Sequence, residues 1–170
     1  MVLENLFIEI GNYMSSLMNL DVMQIQQYQQ NRYPVLLIDF VDEVSPGKYA
    51  KGYKNFSFNE WFFSAHFADE PNVPGFVQVE MLTQMFLMTF LTLPDNKGKK
   101  TSFVNISNAQ FKKKIVPGDR VDIESVLSFY SRGVAKGKSI GTINGEFACS
   151  VELTVAIPDV LNQFKPLQKK

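Results

Sequence analysis

The chain of 170 residues is short of several things. It has one cysteine, one histidine and one tryptophan, and no excess charge of either sign: 17 Lys plus Arg stand against 17 Asp plus Glu. A single cysteine, Cys149, excludes an internal disulfide and a multi-cysteine metal site, and no residue demands an oxidising compartment. A formal net charge of zero removes any global field for nucleic acid or an anionic membrane. Long apolar runs are also missing. The nearest is Phe76 to Leu93, and Gln78, Glu80 and Gln84 lie inside it. A spanning helix needs ~20 largely apolar residues, so this stretch reads as a buried helix of a protein with no membrane span. No Lys or Arg precedes Arg32, and Glu4 and Glu9 interrupt the early apolar stretch, so no secretory signal is expected. What is present is core material: 45% hydrophobic residues, 15 of the residues Phe. At this length one domain is expected, since domains hold ~100–200 residues.

Residues 3–30 have helical spacing in Leu3, Phe7, Ile10, Met14, Leu17 and Met18, with Asp21 as N-cap of a second short helix running into the Gln-rich stretch 24–30. From Tyr33 the texture becomes β-rich through Val44, then Pro46-Gly47 turns the chain into a second strand over 48–57. Asn59–Phe63 reads as a helical turn, 68–73 as a loop, and Pro74 opens a helix from about Gly75 to Leu93 that is apolar on almost every face. In 121–129 the odd positions Val121, Ile123, Leu127 and Phe129 are apolar, and after the hairpin pair Asn144-Gly145 the residues Phe147, Cys149, Val151, Leu153, Val155 and Ile157 share one face. The expectation is an α+β domain: one long central helix with about five to six antiparallel strands. Its divisions are an N-terminal helical extension (1–30), the main domain (31–158) and a C-terminal tail (159–170).

His66 is the only histidine, and a lone histidine is more often structural than catalytic. Its setting argues otherwise. It lies in a loop ahead of the Pro74-Gly75 helix start, and Glu80 sits one and a half turns into that helix. A helix N-terminus at Gly75 offers unpaired N–H groups and the positive end of the dipole, able to polarise a carbonyl or hold an enolate oxygen, and glycine lets a substrate come close. A carboxyl on an apolar helix suits proton donation. Gln84, at i+4 from Glu80, shares its face and is placed to orient it. The bland alternatives are an ion pair between Glu80 and a Lys or Arg, and a surface role for Gln84.

The stretch His66-Phe67, Pro71, Pro74-Gly75, Glu80, Gln84 resembles the β-hydroxyacyl-acyl carrier protein dehydratases of the FabZ type, which have the hotdog fold. The likeness continues in Asn31-Arg-Tyr-Pro-Val-Leu-Leu-Ile-Asp39, in Asn55-x-Ser-x-Asn-Glu60-x-Phe-Phe63 and in Phe111-Lys-Lys-Lys-Ile-Val-Pro-Gly-Asp119, covering about Gln27 to Pro158. The resemblance implies dehydration of a (3R)-hydroxyacyl thioester, with His66 as base, Glu80 as acid, and the amide of Gly75, with Phe76, holding the thioester oxygen. It implies no cofactor and no metal, a substrate carried on acyl carrier protein, a cytoplasmic location, and a homodimer whose sites take His66 and Glu80 from opposite subunits. Assembly beyond the dimer, a trimer of dimers included, stays open. Basic residues Lys112, Lys113, Lys114 and Arg120 would dock the acidic carrier; a solvated face is the bland reading of the same charges.

Four departures stand out. Ala68-Asp69 replace Pro-Gly after the His-Phe pair, Asn31 replaces the histidine before Arg-Tyr-Pro, Met81-Leu-Thr83 replace smaller residues after the glutamate, and the N-terminal segment is longer than the family needs. They suggest a specialised paralogue. The alternatives retained are a hotdog thioesterase or CoA-linked hydratase, and a non-catalytic acyl-binding subunit.

Overall fold

The computed structural model describes residues 16–164; the expected helical pattern before residue 16 lies outside them. The chain order is β1 (Leu17–Leu20), α1 (Val22–Tyr28), β2 (Phe40–Ser45), β3 (Tyr49–Asn55), α2 (Gly75–Leu91), β4 (Ser102–Phe111), β5 (Arg120–Ser131), β6 (Val134–Ile143), β7 (Glu146–Ala156) and α3 (Pro158–Leu161), which a single 3₁₀ turn extends. One seven-stranded antiparallel sheet, in the order β1-β2-β3-β5-β6-β7-β4, curls around α2.

The long helix is where the apolar run put it. From Met81 to Leu91 every residue of α2 is buried, because sheet and loops cover it on all sides, and it ends two residues early at the Thr92 cap. The sheet comes unusually close. A Cβ on Gly52 would lie 2.7 Å from Met85 Cε, and one on Gly137 would lie 2.4 Å from the Phe86 ring. Side chains at these two strand positions would push the helix out of the sheet.

The structure departs from the sequence expectations in four places. Leu17–Leu20 is a strand, not helix: it pairs with β2 (Leu17 with Val44, Leu20 with Val41), and sheet pairing overrides a short helical pattern. The helix starts only after Asp21, whose carboxylate accepts from Gln24 N while Gln24 returns a bond to Asp21 N, a capping box. Second, the β-rich run from Pro34 becomes strand only at Phe40, because part of its backbone bonds to a side chain of α2, as described below. Third, the strand count reaches seven, above the five to six expected, with β1 and β4 the additions. Fourth, the alternation of β5 fails at Phe129. A bulge between Leu127 and Phe129 leaves Phe129 exposed and turns Tyr130 inward, stacked on Phe90 with 5.8 Å between centroids. A like irregularity between Gly141 and Thr142 buries Ala148 and exposes Phe147.

Both tight hairpins of the second half use left-handed pairs. Asn144 and Gly145 have φ of 52° and 80°, and Arg132 and Gly133 have 50° and 78°, the type I′ geometry that suits the twist of the strands. The first was legible in the sequence.

Candidate active site

Glu80 projects from the second turn of α2 and is half-buried. Its partner is not a cation: among the described residues no Lys or Arg pairs with it. Instead its Oε1 accepts two amide bonds, from Gln84 Nε2 at 2.8 Å and from Asn31 Nδ2 at 3.1 Å. Gln84 is fully buried and fully engaged. Its Oε1 accepts from Leu37 N at 2.7 Å and its Nε2 also donates to the Val35 carbonyl at 2.6 Å. It thus replaces a neighbouring strand for residues 35–37 and locks them against α2. The surface role is excluded. Gln29, also buried, donates to the Gln84 carbonyl at 2.8 Å, so α1 packs into the same assembly, with Ile25 wholly buried.

Glu80 lies between two grooves. One of about 600 Å³ is lined by Asn31, Tyr33, Thr83, Leu87, Leu91 and Phe103 among others, with Lys99 and Lys100 at its rim. The second, of about 420 Å³, is almost wholly apolar, between Pro34, Trp61, Phe76 and Phe103. Both touch β4, one of the two edge strands of the sheet, all ten of whose residues are exposed, including Phe103, Val104 and Ile106.

The helix N-terminus is open. Pro74 occupies the N-cap and offers no side-chain bond. The first intrahelical donor is Gln78 N, to the Pro74 carbonyl at 3.1 Å, so the N–H groups of Gly75, Phe76 and Val77 precede it and stay unpaired within the helix. A Cβ on Gly75 would lie 3.5 Å from the Phe111 ring, an ordinary packing contact. Phe76 is exposed and packs beside Trp61.

The His66 loop hangs from an aromatic knot. Phe56, Phe62 and Phe63 are buried in mutual edge contacts, and His66 N donates to the Phe62 carbonyl at 2.9 Å. The imidazole Nδ1 lies 3.1 Å from the Asn72 carbonyl. A carbonyl can only accept, so Nδ1 carries a proton, and in the neutral ring Nε2 is the nitrogen with the lone pair. Asn72 N donates back to the His66 carbonyl at 2.9 Å. The Ala68-Asp69 departure closes as a tight turn with reciprocal bonds between Phe67 and Glu70, at 3.3 and 3.2 Å, and neither residue needs a positive φ. The His66–Phe67 peptide is cis.

Beneath this loop lies a feature that sequence reading missed. Lys54, almost buried, bonds Asp39 at 2.9 Å and Glu60 at 2.8 Å, and Asp39 also accepts from Asn55 N at 2.8 Å. Burial alone would lower the Lys54 pKa, but the bonds to Glu60 and Asp39 outweigh it and hold it above the ordinary value. The signal was the acidic pair Asp39 and Glu60 in two family-like motifs, with no cation assigned to either.

The basic run is less available than its composition implied. β4 ends at Phe111, so Lys112–Lys114 form a loop. Lys113 pairs with Glu146 at 2.6 Å and Lys114 with Glu70; Arg120 pairs with Asp122 at 2.7 Å and stacks over Tyr53. Lys112 alone of the four has no carboxylate within 4.0 Å among the described residues. Cys149 is no nucleophile: burial pushes its thiol up to about 12.

His66 lines neither groove at Glu80. One chain brings Glu80, Gln84, Gly75 and Phe76 onto one helix and holds His66 on the adjoining loop, outside both of these grooves.

A long buried helix wrapped by an antiparallel sheet, with a carboxyl on the helix and an open N-terminus before it, defines the hotdog class. Solved structures agree in fold. The dehydratase heterocomplex ApeI:P of Xenorhabdus doucetiae aligns with a TM-score of 0.69 at 15% identity, over 85% of this chain and 97% of that one. A sigma28-regulated virulence protein of Campylobacter jejuni aligns at 0.62 and 14%, over 82% and 91%. A FabA-like domain model matches residues 30–152. The 3-hydroxyacyl-[acyl-carrier-protein] dehydratase FabZ of Bacillus subtilis is 41% identical over 81% of this chain and 98% of its own length. That of Clostridium novyi is 41% identical over 82% and 99%. The chain belongs to the FabA-like family, as a member of its FabZ type.

Proposed function

We propose that this protein removes water from a (3R)-hydroxyacyl thioester carried on acyl carrier protein, giving the trans-2-enoyl thioester, in fatty acid or related lipid synthesis. The observation that carries the reading is the setting of Glu80: a carboxyl held by two neutral amides rather than by a cation, opening onto grooves fit for an acyl chain. Amide donors on one oxygen leave Oε2 for a proton and for the substrate.

The steps follow from the groups present. The thioester oxygen lies on the N–H groups of Gly75 and Phe76, at the positive end of α2. The neutral His66 ring, with Nδ1 committed to the Asn72 carbonyl, takes the α-proton at Nε2, and the electron pair moves into the enolate that those N–H groups stabilise. As the enolate collapses, the Cα=Cβ bond forms, the C3–O bond breaks and Glu80 delivers its proton to the departing hydroxyl, releasing water. Imidazolium and carboxylate then exchange the proton back, and no cofactor or metal enters the cycle.

His66 lines neither groove that opens at Glu80, and β4 leaves an apolar edge uncovered. Both support a homodimer in which each site takes its base from one subunit and its acid from the other. The carrier would dock through the basic loop Lys112–Lys114 and Arg120, with Lys112 the residue open to a new partner. Among the described residues no helix is long and apolar enough to cross a membrane, and the cytoplasm is the proposed location.

The test is incubation with 3-hydroxyacyl-acyl carrier protein of several chain lengths, followed by mass spectrometry. Loss of one water from the carrier-bound acyl group is expected. Release of free acid would mean a thioesterase instead, and no change at any length would mean a binding subunit.

A further inference from the structure

We infer that Asn31 is a positioning residue for the acid, and that together with Gln84 it decides which carboxyl oxygen of Glu80 carries the transferred proton. The inference rests on Glu80 being the proton donor.

Both amides donate to the same atom. Gln84 Nε2 and Asn31 Nδ2 approach Glu80 Oε1 at 2.8 and 3.1 Å. An oxygen facing two N–H donors has both lone-pair directions occupied, so a proton there would meet a hydrogen head-on. The proton is therefore confined to Oε2. One donor would leave the carboxyl free to swing about it. Two donors from different elements fix its plane, so Oε2 keeps one direction through the catalytic cycle.

Each donor has its own support. Gln84 is locked by Leu37 N and the Val35 carbonyl. Asn31 is held through its backbone: Arg32 Nη1 donates to the Asn31 carbonyl at 2.8 Å and to the Gln29 carbonyl at 2.7 Å, and Arg32 Nη2 donates to the Gln26 carbonyl at 3.0 Å. The guanidinium thus ties Asn31 to the C-terminal end of α1, itself pinned to α2 by Gln29. An asparagine at this place donates N–H at every pH and cannot take up a proton itself, unlike the histidine that the resembling sequences carry.

Asn31→Ala removes the second donor while Gln84 still binds Glu80. In steady-state dehydration of 3-hydroxyacyl-acyl carrier protein, kcat is expected to fall roughly 10-fold or more, the scale of a bond to an ionisable group, with KM little changed. Asn31→His, which returns an N–H donor at the same place, should restore most of kcat. Melting temperature should fall by no more than about 2–4 °C for either, the worth of one half-buried side-chain bond. The decisive readout is the double variant. In a Glu80→Gln background, Asn31→Ala should cost nothing further, because the group it orients is gone. If Asn31→Ala lowers the residual rate of Glu80→Gln as much as it lowers the native rate, or if kcat of Asn31→Ala stays native, the positioning role is overturned. If Glu80→Gln itself keeps native turnover, it is the assignment of the acid that falls.

Discussion

At the scale of single residues, two side chains are asked to move protons, and two neutral amides, of Asn31 and Gln84, hold one of them in place. Glu80→Gln keeps the shape and the bond to Asn31 but has no proton to give, and His66→Ala removes the lone pair at Nε2. Each should lower turnover by ~10²-fold or more, the usual worth of a general acid or base, with unchanged circular dichroism and melting. Near-native turnover in either would end its assignment. Lys54 belongs to the scaffold instead. Lys54→Met would leave Asp39 and Glu60 facing each other without a cation, at a cost of roughly 3 kcal/mol, since breaking a buried pair strands the remaining charge. The pH sign follows from the raised pKa. A lysine that binds its proton more tightly when folded contributes its full stability below the unfolded value, near 10.5, and loses it as pH rises through the folded value. Melting curves from pH 8 to 12 should show a steeper alkaline loss in the native chain than in Lys54→Met, the buried Cys149 thiol, also raised, adding a loss common to both.

At the scale of elements, the contact between α2 and the curled sheet sets the tolerance. A methyl on Gly137 would stand 2.2 Å from the Val126 carbonyl as well as against the Phe86 ring, and neither backbone nor a packed ring can withdraw. Gly137→Ala should therefore destabilise by about 1–3 kcal/mol, as overpacking does, measured by urea unfolding. The same contact explains what the sequence could disclose. The apolar run of α2, the caps at Asp21 and the Asn144-Gly145 turn are local chemistry, and each is visible in a few adjacent residues. The face of β5 was legible only up to Leu127, because a bulge is a two-strand event with no mark in one strand. Residues 34–38 read as strand since Val-Leu-Leu-Ile has the right residue types, yet the partner of Val35 and Leu37 is Gln84, 47 positions beyond Leu37. For the site, the spacing of His66, Gly75, Glu80 and Gln84 was readable because one loop and one helix carry all four. Asn31 showed as a departure without a role, because its role is a bond across 49 positions.

At the scale of the whole molecule, the proposed site is completed by symmetry. Each chain carries one His66 on the loop and one Glu80 on α2, and a two-fold dimer with exchanged partners has two equivalent sites, each mixing both chains. Consider a mixed dimer of one His66→Ala chain and one Glu80→Gln chain. One of its sites receives both lesions. The other receives His66 from the Glu80→Gln chain and Glu80 from the His66→Ala chain, and is intact. With random exchange at equal concentrations half the dimers are mixed, and half of their sites work. Two nearly inactive proteins should then regain about 25% of native activity once unfolded, mixed and refolded together, from the symmetry argument alone. Native mass spectrometry of differently tagged chains must show the mixed dimer first, and each variant refolded alone sets the baseline. A site built within one chain predicts the opposite, because every site in the mixture would still carry one lesion and activity would stay at that baseline. Mixed dimers with baseline activity would therefore place base and acid in the same subunit.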